Sequence, residues 1–272
     1  MLRLSASLHS KSTSAPEVDY SIRRYGHMAT RDTIVIGASA GGVQALSKLI
    51  AALTADLAAA VFIVLHIPSN VPSLLPGILA RDAKLPVSHA IDGQEILPSR
   101  VYVAPPDQHL LLEDHHVKLV HGPRENLHRP SIDALFRSAA RFAGSRAIGV
   151  VLTGARDDGT LGMRAIKERG GIAIVQDPLE AAFPSMPLSV MQDVKVDFSL
   201  PLSEIAPLLV RLSHENVEEE GRYPVPDELE IESRIRGINN RGQGIDCRRR
   251  ATRQDFHTHL SGLSRRSLGN QR

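Results

Sequence analysis

From Thr33 onward the chain alternates short β-branched apolar runs with longer stretches whose apolar residues recur at helical spacing. Few folds accept that alternation. "TIVIG" reads as a strand, "VQALSKLIAAL" as a helix, "AAVFIVLH" as a buried strand and "PSLLPGILARD" as a proline-interrupted helix. Strand, helix, strand, helix in this order implies a parallel sheet, because parallel neighbours need a crossover and a helix is the usual one. The middle breaks the rhythm: "RVYVAPP", "HLLLED" and "VKLVHG" are short strands separated by "PPDQ" and "HH", which reads as an antiparallel excursion. "SIDALFRSAARFA" then resumes a helix with Ser131 as its cap. It is followed by the strand "AIGVVLTG", helix "GTLGMRAIKERG", strand "GIAIVQD", helix "PSMPLSVMQD", strand "VDFSL" and helix "LSEIAPLLVRL". The expected fold class is α/β: a doubly wound, mainly parallel sheet with helices on both faces and a short antiparallel hairpin excursion.

The periodic region sets the domain boundaries at residues 31–213. Residues 1–30 carry scattered serine and charge and read as a disordered leader without a signal-peptide core. Residues 214–272 run from "ENVEEEG" through "PVPDELEIESRI" to "RRRATRQDF" and read as a mostly disordered charged tail with room for one helix. The net charge of +2 conceals arginines crowded into that tail, so charge gives the folded part no nucleic-acid role. Tryptophan is absent, and Cys247 is the only cysteine. A disulfide framework and a cysteine-based zinc site are both excluded, and a cytoplasmic location is expected. No apolar run approaches the length of a membrane span.

The turn "GASAGG", residues 37–42, joins the first strand to the first helix. A P-loop would need a lysine and a hydroxyl residue after the glycines, where Val43 and Gln44 stand. A dinucleotide site needs glycines at G-x-G-x-x-G and an acidic residue ending the second strand; here the spacing is wrong and the second strand ends in His66. Gly37 to Gly41 also reads G-x-S-x-G, which lifts Ser39 off a strand end as a nucleophile. Strand ends converge at the carboxyl edge of a parallel sheet, so His66 and the pair Asp157 and Asp158 of "VVLTGARDDGT" can meet Ser39 there. The serine then needs the histidine as base, and the histidine needs a carboxylate to fix its tautomer. The backbone N–H groups opening the next helix point toward the same place and suit a developing oxyanion. The order serine, histidine, acid differs from that of the α/β-hydrolases.

Six segments in order, "IGASAGGVQAL", "VLHIPSN", "YVAPPDQHLLL", "HRPSIDALFRSAA", "VVLTGARDDGTLGM" and "VQDPLEAAFPSMP", resemble the catalytic domain of the CheB-type chemotaxis protein-glutamate methylesterases. The resemblance runs from about Thr33 to Leu212. It implies hydrolysis of glutamate γ-methyl esters on methylated chemoreceptor-like signalling proteins, with glutamine deamidation at the same site and no cofactor. It makes Ser39 the nucleophile, His66 the base and Asp158, not Asp157, the orienting carboxylate. Ala40, Gly41 and Ala155 are the candidates for oxyanion or substrate positioning. Ala40, Ala155 and Arg156 stand where the family commonly has threonine, methionine and glycine. Family members usually carry a receiver domain, which the leader is too short to form, so a receiver protein acting in trans is an expected regulator. Two other readings stay open: a catalytically impaired scaffold that binds signalling proteins, and a dinucleotide-binding oxidoreductase.

His109, His115, His116, His121 and His128 lack helical ligand spacing or a supporting cysteine and are expected to be solvated loop residues, not a metal site. Arg129, near a helix start, reads equally as a substrate contact or a surface residue.

Overall fold

The computed structural model describes residues 29–67 and 72–217. In chain order these form strands β1 (Ala29–Thr30) and β2 (Thr33–Ala38), helix α1 (Gly42–Ala52), β3 (Ala60–Leu65), α2 (Leu75–Leu79), β4 (Val87–His89), β5 (Val101–Val103), β6 (His109–Glu113) and β7 (His116–Val120). They continue with α3 (Ile132–Ala143), β8 (Ala147–Val151), α4 (Thr160–Glu168), β9 (Ile172–Gln176), α5 (Ser185–Asp193), β10 (Phe198–Leu200), α6 (Leu202–Ser213) and β11 (Asn216–Val217). Apart from Ala29–Thr30 and the stretch up to Val217, the expected leader and tail, with Cys247 and the "RRRATRQ" run, lie outside the described residues.

Seven strands form one sheet in the order β10-β9-β8-β2-β3-β5-β4, and every neighbouring pair in it is parallel. β2 and β3 are buried along their whole length, as strands covered on both faces must be, and their alternate side chains serve two cores. Ile34, Ile36, Val61, Ile63 and Leu65 pack with α1, α2 and α6 on one face. Val35, Phe62 and Val64 pack with α3, α4, α5 and the β6–β7 hairpin on the other. The chain moves to one side of β2 through β3, then returns to place β8 on the other side. The boundary between β2 and β8 is therefore the switch point, the place where doubly wound sheets gather their ligands.

The antiparallel excursion is smaller than the sequence suggests. Of the three segments read as that excursion, only β6 and β7 pair antiparallel, whereas "RVYVAPP" supplies β5, a parallel strand between β3 and β4. Its three residues are fully buried, so a place inside the sheet suits them better than a hairpin. Edge strand β4 has no counterpart in the sequence reading. The folded unit also passes its expected boundaries, because Ala29 and Thr30 pair with Val217 and Asn216 and bring the two ends of the domain side by side.

Gly37 decides how closely α3 can approach β2. A Cβ there would lie 2.4 Å from Ile132 Cγ2, so only glycine lets the first residue of α3 rest on the end of the strand. That contact brings the α3 N-terminus to the switch point.

Candidate active site

Ser39 follows β2, His66 follows β3, and Asp158 lies in the loop between β8 and α4. All three arrive at the carboxyl edge around the switch point. His66 Nδ1 is 3.1 Å from Ser39 Oγ, and His66 Nε2 is 2.7 Å from Asp158 Oδ2. A carboxylate only accepts, so the ring proton sits on Nε2 and the bare Nδ1 takes the hydrogen of the Ser39 hydroxyl. Asp157 is exposed, and its carbonyl accepts the N–H of Thr160; of the two adjacent aspartates only Asp158 faces the histidine.

Asp158 is 1% exposed and accepts from five donors. Oδ2 takes the His66 ring and the N–H of Ile132 (2.8 Å); Oδ1 takes the Ser131 hydroxyl (2.9 Å), the N–H of Asp133 (3.0 Å) and the amide of Asn126 (2.9 Å). Burial alone would push this carboxyl up. The hydrogen bond and charge of His66, with the donors of Ile132 and Asn126, outweigh burial and hold it down at about 2. Ser131 occupies the cap position of α3 as expected, but its hydroxyl makes no capping bond. Asp158 caps the helix in its place, and the positive helix end favours the carboxylate.

A second buried carboxylate, Asp133, accepts the N–H groups of Gly159 (3.0 Å) and Gly162 (2.7 Å) at the start of α4 and the Asn126 amide at 2.8 Å. Burial and the nearby Asp158 charge raise it to about 6. His128 stacks flat on His66, with ring centroids 3.5 Å apart and planes 5° from parallel. Burial, then the charge of His66, lowers its affinity for a proton.

The expected oxyanion donors differ in whether they are free to act. The Ser39 N–H is already given to the Thr153 carbonyl at 3.1 Å, while the N–H groups of Ala40 and Gly41 have no acceptor among the described residues. Gly41 adopts a left-handed φ of 74°, and the Thr153 hydroxyl fixes the turn by donating to the Ala40 carbonyl at 3.0 Å. Ala155 is exposed and makes no hydrogen bond to Ser39, His66 or Asp158; its neighbour Gly154 lies against the nucleophile turn, where a Cβ would be 3.0 Å from Ser39 Cβ. Arg156 holds a left-handed φ of 71° that glycine would adopt without strain.

Several sequence expectations need correction. Of the five histidines read as solvated, His109 is buried, with Nε2 donating to the Pro123 carbonyl and Nδ1 accepting the Ser131 N–H, and His128 belongs to the site. His115, His116 and His121 are exposed. Arg129 is structural: its guanidinium holds Asp107 Oδ1 at 2.9 and 2.7 Å and the Gly122 carbonyl at 2.6 Å. Asn126 and Asp133 were missed, and neither carries a signal that sequence spacing could expose. The dinucleotide reading loses its remaining support, since His66 is engaged with Ser39 and Asp158.

A doubly wound α/β sheet with serine, imidazole and carboxylate in line at its switch point defines a class, the Ser-His-Asp hydrolase architecture. Within it, the chain belongs to the CheB methylesterase family, whose model matches residues 34–209. A Leptospira interrogans relative is 41% identical over 189 residues, which cover 69% of this chain and 98% of that protein. The protein-glutamate methylesterase/protein-glutamine glutaminase 5 of Anaeromyxobacter dehalogenans is 40% identical over 187 residues, covering 67% of this chain and 51% of its own. The chain thus spans nearly all of the first relative and about half of the second. The crystal structure of the Thermotoga maritima CheB methylesterase catalytic domain superposes with a TM-score of 0.64 at 34% identity, covering 66% of this chain and 98% of that one. No described helix is long and apolar enough to cross a membrane.

Proposed function

We propose that this protein is a protein-glutamate methylesterase that hydrolyses glutamate γ-methyl esters on a methylated chemoreceptor or related signalling protein, and that the same site deamidates glutamine. The observation that supports this best is the hydrogen-bonded line from Ser39 Oγ through His66 to Asp158 in a fold of this family. Ser39 Oγ attacks the ester carbonyl carbon as its proton passes to His66 Nδ1. The N–H groups of Ala40 and Gly41 face the oxyanion, and Asp158 stabilises the imidazolium. Collapse breaks the bond to the methoxy oxygen, which takes the proton from His66 and leaves as methanol. Water, deprotonated by the same nitrogen, then attacks the acyl-serine and releases the glutamate carboxylate and free Ser39. A primary amide fits the same steps with ammonia as the leaving group. The location proposed is the cytoplasm, with a receiver protein in trans as regulator.

Methanol release from radiolabelled methylated receptor membranes tests this reading. The wild-type chain is expected to release methanol and Ser39→Ala to release none above background. Equal release by both, or none from folded wild-type protein supplied with cognate receptor and receiver, would overturn it.

A further inference from the structure

We propose that Asn126 is a positioning residue of this site, its amide holding the Asp158 carboxylate in line with His66 by tying it to the second buried carboxylate, Asp133. This rests on the esterase reading above. Residues 125–128 form a tight turn closed by two backbone bonds, Glu125 N–H to the His128 carbonyl at 3.0 Å and His128 N–H to the Glu125 carbonyl at 2.7 Å. Its central residues, Asn126 and Leu127, both take left-handed backbone angles, φ 49° and 71°. Asparagine tolerates that region, but leucine does so only under strain, and Leu127 is 66% exposed with no core contact to offset it. The conformation instead brings the side chains of exposed Asn126 and half-buried His128 to the site. Asn126 reaches both Asp133 and Asp158, and His128 lies on the His66 ring.

The orientation of the amide is dictated. Both neighbours are carboxylates, so the NH2 end faces them and each of its hydrogens serves one. The remaining donors to Asp158 are His66 itself and groups at the start of α3. Asn126 is the one group bonded to both carboxylates, and it sets a positive dipole between two negative charges. Other charged and titratable groups acting on this cluster are His109 on β6, Arg137 on α3, and Arg124 and Arg156 beside His128.

Two variants test the role. Asn126→Gly keeps the left-handed turn and deletes the amide, and Asn126→Asp keeps the shape but replaces the donor with a third carboxylate. Ser39 acylation by an activated acetyl ester is followed against pH, together with the NMR resonance and exchange rate of the His66 Nε2 proton. Losing the donor makes the cluster more proton-hungry. The acid limb of acylation is therefore expected to move up by about half to one pH unit in Asn126→Gly and further in Asn126→Asp, with a plateau about three- to tenfold lower. The His66 Nε2 proton should exchange about three- to tenfold faster in both. A plateau that falls without displacement of the limb, or an unchanged proton resonance and exchange rate, would refute positioning and leave the turn a structural role. If wild-type Ser39 is not acylated, the esterase reading fails, and the proton resonance alone upholds or overturns the clamp.

Discussion

Replacing Asp158 with asparagine tests site and fold in one substitution. Five donors converge on this carboxylate, three on Oδ1 and two on Oδ2. The amide has one acceptor oxygen, and its best placement is at Oδ1, where it keeps Ser131, Asp133 and Asn126. The NH2 group then faces the N–H of Ile132 at 2.8 Å and His66 Nε2 at 2.7 Å, donor against donor. The buried N–H of Ile132 loses its partner, at about 1–3 kcal/mol, and the α3 N-terminus loses an anion worth up to about 2 kcal/mol. Relief of the repulsion with Asp133 offsets part of this, so the expected loss near neutral pH is about 2–4 kcal/mol. His66 can accommodate the NH2 group only by moving its proton to Nδ1, which removes the lone pair facing Ser39. Acylation should fall by about 10⁴, the scale this change produces in Ser-His-Asp enzymes. Denaturant unfolding and the rate of Ser39 labelling by an activated ester measure the two effects. A variant that labels within about tenfold of wild type, in protein shown to be folded, would refute the tautomer argument.

Other substitutions probe the supports of the site. Gly37→Ala drives a methyl into Ile132 at 2.4 Å; unfolding should show a loss of about 1–3 kcal/mol, and labelling should slow because the Ile132 N–H that holds Asp158 is displaced. Thr153→Val deletes the donor to the Ala40 carbonyl and the acceptor of the Phe183 N–H at 2.9 Å, with an expected cost of about 1–3 kcal/mol in the same assay. Arg156→Gly exchanges about 1–2 kcal/mol of left-handed strain for a smaller entropic cost and should stabilise by up to about 1 kcal/mol in thermal unfolding. Asp133 makes stability depend on pH. Its carboxyl is raised from 3.8 to about 6 on folding, so the native state takes up this proton first. Its contribution is complete below about pH 4 and is lost as pH rises through 6, a change of about 3 kcal/mol. The stability of Asp133→Asn relative to wild type should therefore increase by about that amount between pH 4 and 7. A difference that stays flat across this range would show that Asp133 is not buried in its charged form.

The central sheet was legible because strands buried on both faces must be continuously apolar, as "TIVIG" and "AAVFIVLH" are. Ser39, His66 and the Asp157–Asp158 pair were legible for a related reason: each follows a strand of the sheet, and parallel strands deliver their ends to one edge. The edge was harder. β4 has three residues, one of them exposed, and offers no apolar run; β5 lies between prolines and looks like part of a hairpin although its side chains are buried. The supports of the site were not legible at all. Asp133 reads as an ordinary first-turn acid serving its own helix, and Asn126-Leu127 as a polar loop. Both acquire their roles only when Gly37 lets α3 settle on β2 and the turn folds back over His66.

The two buried aspartates also explain why charge settles where the proposed chemistry needs it. Asp158 lies two residues before α4 yet caps α3, and Asp133 belongs to α3 yet caps α4. Each helix end thus neutralises the carboxylate attached to the other, and neither charge could stay buried if one helix were absent. The exchange is unequal. Asp158 receives five donors, one of them an imidazole able to carry charge, whereas Asp133 receives three neutral ones. With two like charges close together and only Asn126 shared between them, the group with more donors ionises first and raises the other. As pH falls, the first proton is therefore taken by Asp133, and the negative charge stays on Asp158 facing His66, where an imidazolium would form. The helix packing that builds the second core thereby sets the ionisation of the site.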